Sequence, residues 1–316
     1  MRGYALRAAE LAGAAAGLAT SVILLIAGCA LLGVAAAGAG GAVVAIVIAV
    51  LLVAAVFACC DRLALSAMLA RPVSEVEQPE LYRLVRELSK AGRLSVPRLY
   101  LSPAGQPNSF AVGRGPRTAT ICCTQGLLRV LDEAELRGVL GHELAHVSSR
   151  DILASSVSAG LAAVITFPAC LVRVARGSKS AGSVASGSVA AGSVAAGPVV
   201  SDWGSGLGLL ETLLMLVFAP VAAIVVRLAV TREREYRADA AGALLSGDPV
   251  ALASALRKID AGTAELALAP DGLRTSVGHL MIASPFRLEG FARLFLTHPP
   301  TGERIRRLEA LAGYRR

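Results

Sequence analysis

The sequence predicts an α+β chain, mostly helical with a small antiparallel sheet, carrying up to four transmembrane helices. Three observations predict it. Hydrophobic residues make up 55% of the 316 residues and charged residues only 17%, whereas a soluble domain carries about a quarter charged residues. Part of the chain therefore belongs in lipid. Charge-free apolar runs occupy residues 11–60 and 152–172, and a weaker run spans 207–230. Between and after these runs lie stretches with the periodicities of amphipathic helices and of strands.

The elements follow in order. Residues 1–10 are basic, with Arg2 and Arg7. The run 11–60 exceeds the roughly 20 residues of one span. It is read as two helices turning near Gly38-Ala-Gly-Gly41, an N-terminal hairpin over residues 1–61. A cleaved signal peptide would have an apolar core of only about 7–15 residues. Arg62 and Arg71 follow the hairpin, and the turn inside it has no charge. The positive-inside rule then puts both ends in the cytoplasm.

Residues 62–151 read as the first part of a soluble domain. Pro79 opens a helix with Leu81, Leu84, Val85 and Leu88 on its apolar stripe, and Gly92 suits its end. Strands are expected at 98–101, 109–113 and 118–123, the last two joined as a hairpin around Gly115-Pro116. Asp132 followed by Glu135 is a capping-box start for the next helix. The apolar run 152–172 begins at once, with Pro168 placed to kink it late.

Residues 152–230 form a second apolar hairpin, either spanning, re-entrant or laid over the soluble domain. Its Gly/Ser/Val-rich linker, 173–206, repeats Gly-Ser-Val-Ala from 182, 187 and 192 and is read as flexible. Residues 231–316 return to the soluble domain. A helix is expected at 231–243, another after Asp248-Pro249 with Leu252, Leu256 and Ile259 inward, and a last one from Glu303 to Leu311.

The net charge of +8 has no aromatic-rich basic module to direct it to nucleic acid. A lipid bilayer with an anionic surface is the simpler partner. The six cysteines lie in apolar runs or as the adjacent pair Cys122-Cys123, without a disulfide framework, so they are read as reduced.

The chemistry sits in Gly141-His-Glu-Leu-Ala-His146. His142 and His146 are one helical turn apart on one face, so their imidazoles can converge on one metal ion. Glu143 leans toward the same place, where a carboxylate can take a proton from water. This is the helical zinc-protease pattern. A catalytic zinc takes three protein ligands plus water. The third would be His279, His298 or a carboxylate, with Glu235 leading because Asp239, one turn on, could orient a ligating histidine.

The order of features resembles the HtpX family of bacterial membrane zinc metalloproteases, relatives of the CAAX prenyl proteases. The residues that carry the resemblance are Pro107-Asn-Ser-Phe-Ala111, Gly141-His-Glu-Leu-Ala-His146, Arg150-Asp151, Glu235-Tyr-Arg-Ala-Asp239 and His298-Pro-Pro300. The resemblance implies a membrane-anchored, zincin-like protease domain holding one Zn2+ through His142, His146 and Glu235. It implies Glu143 as general base, Asp239 and Asp151 as supporting carboxylates, and His298 as a transition-state donor. It also implies Asn108, Ser109, Phe110 and Ala111 as the start of an edge strand for an extended peptide. The family usually has Ala where this chain has Ser109. The implied activity is endopeptidase cleavage of membrane or misfolded proteins at the bacterial cytoplasmic membrane, with the active site facing the cytoplasm. Two readings compete: a dedicated CAAX-type processing protease, and a non-catalytic membrane scaffold or sensor with structural zinc. The first needs more spans, and the second has no use for Glu143.

Overall fold

The 66 residues of the first helical stretch, Gly-rich in the middle, do not form one straight rod. In the computed structural model, α1 (Arg2–Ala67) breaks at Ala37 (φ −150°, ψ 28°) and Gly38 (φ 61°, ψ −150°). A Cβ on Gly33 would lie 2.4 Å from the Gly41 carbonyl oxygen. In an unbroken helix those residues would stand about 12 Å apart, so the chain doubles back where the sequence placed the turn. Ile23, Leu24, Leu31, Leu32, Val43 and Leu51 point outward, an apolar exterior that suits lipid. The structure describes residues 2–181, 218, 220–226, 231–268, 272–286 and 299–313.

The domain that follows starts with β1 (Arg71–Pro72) and α2 (Pro79–Ala91), whose Leu81, Leu84, Val85 and Leu88 are buried as their spacing requires. Its end uses Gly92 as cap and Arg93 in the left-handed region at φ 54°. Next come β2 (Arg98–Ser102), β3 (Ser109–Val112) and β4 (Thr120–Thr124). The sheet order is β1-β2-β4-β3. The expected hairpin is present, with Ser109 opposite Cys123 and Val112 opposite Thr120.

The sheet is nevertheless mixed, which corrects the antiparallel expectation: β4 lies between β3 and β2 and runs parallel to β2, Leu99 beside Ile121. The chain leaves β2, skips one strand position to form β3, and returns through residues 113–119 into the gap. Local turn signals mark only that last step, because a parallel neighbour is made by a longer connection.

Thr124 ends the sheet and starts α3 (Gln125–Val130), its hydroxyl accepting from the Leu127 N–H, a short helix that periodicity did not mark. α4 (Glu133–Ser149) carries the full capping box of Asp132 and Glu135. It stops at Arg150, φ 60°, and α5 (Ile152–Ala181) leaves at 91° to it. The helix runs past the apolar stretch into residues that the sequence assigns to the linker, where Arg, Ala and Lys favour helix.

Beyond the insertion come α6 (Arg232–Ser246), α7 (Pro249–Glu265), α8 (Gly272–Val277) and α9 (Thr301–Leu311). Asp248 caps α7 by accepting from the Ala251 N–H. One core joins residues on both sides of the apolar insertion: Leu84, Leu88, Ile121, Leu140 and Leu144 with Leu252, Leu256, Ile259 and Leu308. Each such side chain contributes about 1.5–3 kcal/mol by leaving water.

Ala15–Ala67 is long and apolar enough to cross a membrane, and Glu133–Ser149 with Ile152–Phe167 qualifies only as a bent pair. Of the expected fourth span, residues 218 and 220–226 are described and helical. Ala222, Val225 and Val226 there share an apolar cluster with Val56 of α1 and Val157, Leu161 and Ala162 of α5. The rest of that span, and the Gly-Ser-Val-Ala repeat, lie outside the described residues.

Candidate metal centre

The site is built where α4 and α6 cross. Two glycines permit the approach: a Cβ on Gly141 would meet the Gly242 carbonyl oxygen at 2.8 Å, and one on Gly242 would meet the His142 nitrogen at 2.6 Å. Glu235, Asp239 and Gly242 follow one another at helical spacing, so this single face of α6 presents both carboxylates to α4.

His142, His146 and Glu235 offer ligand atoms that all lie within 4.8 Å of one another. The two Nε2 atoms are 3.2 Å apart, and His146 Nε2 is 3.5 Å from Glu235 Oε1. Tetrahedral zinc with bonds of about 2.0–2.1 Å sets its ligand atoms about 3.3 Å apart, so the donor set and its spacing fit the ion.

The outer ring nitrogens support the same reading. His146 Nδ1 lies 3.2 Å from Asp151 Oδ2, and His142 Nδ1 lies 2.9 Å from Asp239 Oδ1. Both outer nitrogens thus stand at hydrogen-bonding distance of a buried carboxylate. Carboxylates behind both imidazoles turn the Nε2 atoms inward, as metal-ligating histidines require.

Those carboxylates are themselves held by arginines. Arg304 of α9 forks onto Asp239, Nε to Oδ2 at 2.8 Å and Nη2 to Oδ1 at 2.7 Å. Its Nη1 donates to the Ile282 carbonyl at 2.6 Å and stands 3.8 Å from Glu235 Oε2. Arg234 donates to Asp151 through Nε at 3.2 Å, and through Nη2 to the Asp151 carbonyl at 2.9 Å.

Electrostatics follow from this packing. Burial raises the pKa of Asp239, but Arg304 and His142 outweigh it and hold the carboxyl down to about 2. Burial disfavours the charged form of His146, yet Asp151, Glu235 and Glu143 carry it up to about 9. Burial pushes Glu143 above the usual carboxylate range against the pull of both imidazoles and the Ser109 hydroxyl.

Glu143 is 1% exposed and accepts from Ser109 Oγ at 2.6 Å. Asn108, Ser109, Phe110 and Ala111 are all buried. The outer edge of β3 pairs with the chain's own residues: Phe110 bridges Met281, and the Ile282 N–H donates to the Ser109 carbonyl at 2.9 Å. Asn108 Nδ2 donates to the Ala283 carbonyl at 2.9 Å. His279 is placed elsewhere, its Nε2 3.2 Å from Ser158 Oγ. His298 lies outside the described residues.

Sequence reasoning missed Arg304, Arg234 and the glycine pair. An isolated Gly inside each of two helical patterns was the available signal for close packing. The arginines gave none, because each sits among other charges.

Comparison with known proteins adds to this geometry. Peptidase family M48 matches residues 75–312. The chain is 54% identical to a Protease HtpX homolog of Kineococcus radiotolerans over 254 residues, 80% of each chain. It is 46% identical to a Protease HtpX homolog of Paenarthrobacter aurescens, across 80% of this chain and 79% of that one. A Protease HtpX homolog of Pelotomaculum thermopropionicum is 38% identical across 80% and 83%.

Proposed function

The chain belongs to peptidase family M48 and is a metalloprotease; on that premise we propose a membrane-bound zinc endopeptidase that cleaves membrane or misfolded proteins from the cytoplasmic side. The observation that carries the reading is the convergence of His142, His146 and Glu235 within 4.8 Å, with the Glu143 carboxylate buried beside it.

In this reading His142, His146 and Glu235 hold one zinc ion. When bound, zinc supplies a Lewis acid that polarises the scissile carbonyl and lowers the pKa of water. Glu143 removes the proton from the attacking water and delivers it to the leaving amine. Asp239 and Asp151 fix the two imidazoles, and Arg304 and Arg234 fix Asp239 and Asp151. Residues 62–151 and 231–316 make the protease domain. Residues 1–61 and 152–230 are its membrane parts. Residues 108–111 supply the strand along which an extended peptide aligns, which requires the Met281–Ala283 segment to yield that edge. His298 donates to the developing oxyanion, a role resting on the resemblance and on the two prolines that fix its backbone. The position of the site at the head of α5 suits substrates presented at the membrane.

Glu143→Gln tests the reading. It should keep zinc and fold while losing roughly 10²–10⁴-fold in peptide hydrolysis, read on detergent-solubilised protein by metal analysis and by cleavage of casein with and without chelator. Activity at the parent level would remove Glu143 from the chemistry.

A further inference from the structure

Glu143 must present one carboxylate oxygen to the water it deprotonates, and a free glutamate has three rotatable bonds to fix. Among the described residues the side chain that bonds it is Ser109, whose Oγ donates to Oε1 at 2.6 Å. Ser109 is fully buried and its backbone is pinned. Its N–H donates to Asn108 Oδ1 at 3.1 Å, its carbonyl accepts from the Ile282 N–H at 2.9 Å, and it stands opposite Cys123 in the sheet. The hydroxyl is therefore carried by a strand end that its pairing with β4 holds in place even when the Ile282 bond is given up to a substrate.

We propose that Ser109 is a positioning residue for the general base, its hydroxyl holding Glu143 Oε1 so that Oε2 faces the reacting water. The inference rests on Glu143 acting as the base. The proton leaves water for Oε2 and passes from Oε2 to the amine as the C–N bond breaks. The serine proton stays on Oγ throughout, so the residue changes no bond itself. Hydrogen bonds to ionised groups are short and about twice as strong as neutral ones, which suits a contact whose task is to hold an anion in one orientation.

The experiment compares Ser109→Ala, Ser109→Cys and Ser109→Thr with the parent as full-length, zinc-loaded protein, using an internally quenched peptide. Cysteine keeps a heavy atom in place of the oxygen but donates weakly, while threonine keeps the hydroxyl. Ala and Cys should lower kcat by about tenfold, as loss of a bond to a charged group does. KM should stay within about twofold, as expected when the loss falls on the chemical step rather than on substrate binding, with zinc content unchanged. Thr should hold kcat within about threefold of the parent. An unaltered kcat in Ala and Cys overturns the proposal. So does a loss that Thr shares at parental zinc content and melting temperature. Glu143→Gln measured alongside separates the failures: if it is inactive while Ser109→Ala is fully active, only the positioning role falls. If it is active, the base itself is misassigned and the positioning role falls with it.

Discussion

Among the described residues Arg304 is one of the largest fully buried side chains, and it reaches the candidate metal centre through Asp239. Both oxygens of that carboxylate accept from the guanidinium, so removing the arginine leaves a buried charge without its cation. Breaking one partner of a buried pair costs about 3–5 kcal/mol, and loosening a carboxylate behind a ligating histidine costs about 10–100-fold in metal affinity. Arg304→Ala should therefore lower both the thermal midpoint and zinc retention against a competing chelator. Arg304→Lys should not restore them, because a lysine cannot make the planar fork. Parental zinc retention in Arg304→Ala would detach Asp239 from the metal site. At this scale the sequence was legible where chemistry has a fixed local spacing: His142, Glu143 and His146 are read off one helical turn. Glu235 was less legible, since Arg232, Glu233, Arg234 and Arg237 around it look like a solvated face, yet it is 5% exposed. Arg304 was not legible, for it stands next to Glu303 and Arg306 on an amphipathic helix and meets a partner 65 residues away.

Helices α4 and α6 were each legible, from a capping box and from helical propensity, but their crossing was not. What brings them together is the absence of side chains at Gly141 and Gly242, a property that shows only when the two helices are placed face to face. Gly242→Ala tests how closely the crossing sets the site. The new Cβ would lie 2.6 Å from the His142 nitrogen and 2.7 Å from its Cα, both backbone atoms that cannot rotate away. The helices must part, at a cost of about 1–3 kcal/mol for an overpacked contact. A shift on the order of 1 Å in a reacting centre can cost about 10²-fold in rate. The variant, with every ligand still present, should lose peptide hydrolysis and part of its zinc. Full activity and zinc content would show that the ligand geometry tolerates the displacement. The sheet teaches the same lesson about range. The β3–β4 hairpin announces itself through Gly115-Pro116, whereas the β2–β4 pairing is a consequence of where the returning strand finds room.

At the scale of the whole molecule, the helix that carries both histidines ends in one sharp corner. Arg150 takes φ 60° and α5 departs at 91° from the helix that carries both histidines. The next residue, Asp151, stands behind His146, so the corner that ends the helix also places a carboxylate behind a proposed metal ligand. That corner sets the site beside α5, and the proposed side of the membrane rests on the charges at the start of the chain. The two arms of α1 touch at Gly33 and Gly41, so residues before and after the hairpin emerge on one side. Arg2 and Arg7 lead in, Arg62 and Arg71 lead out, and the break at Ala37–Gly38 has no charge to retain it in the cytoplasm. Alkaline phosphatase fused after Gly40 should therefore be active, as it is only outside the cytoplasm. Fused after Ser74 it should be silent, and a fluorescent protein at Ser74 should shine. A silent fusion at Gly40 would mean that the break stays on the cytoplasmic side, and the N-terminal arms would then lie along the membrane rather than across it. An active phosphatase at Ser74 would invert the molecule, placing the metal centre outside the cytoplasm and with it the pool of polypeptides it can cut.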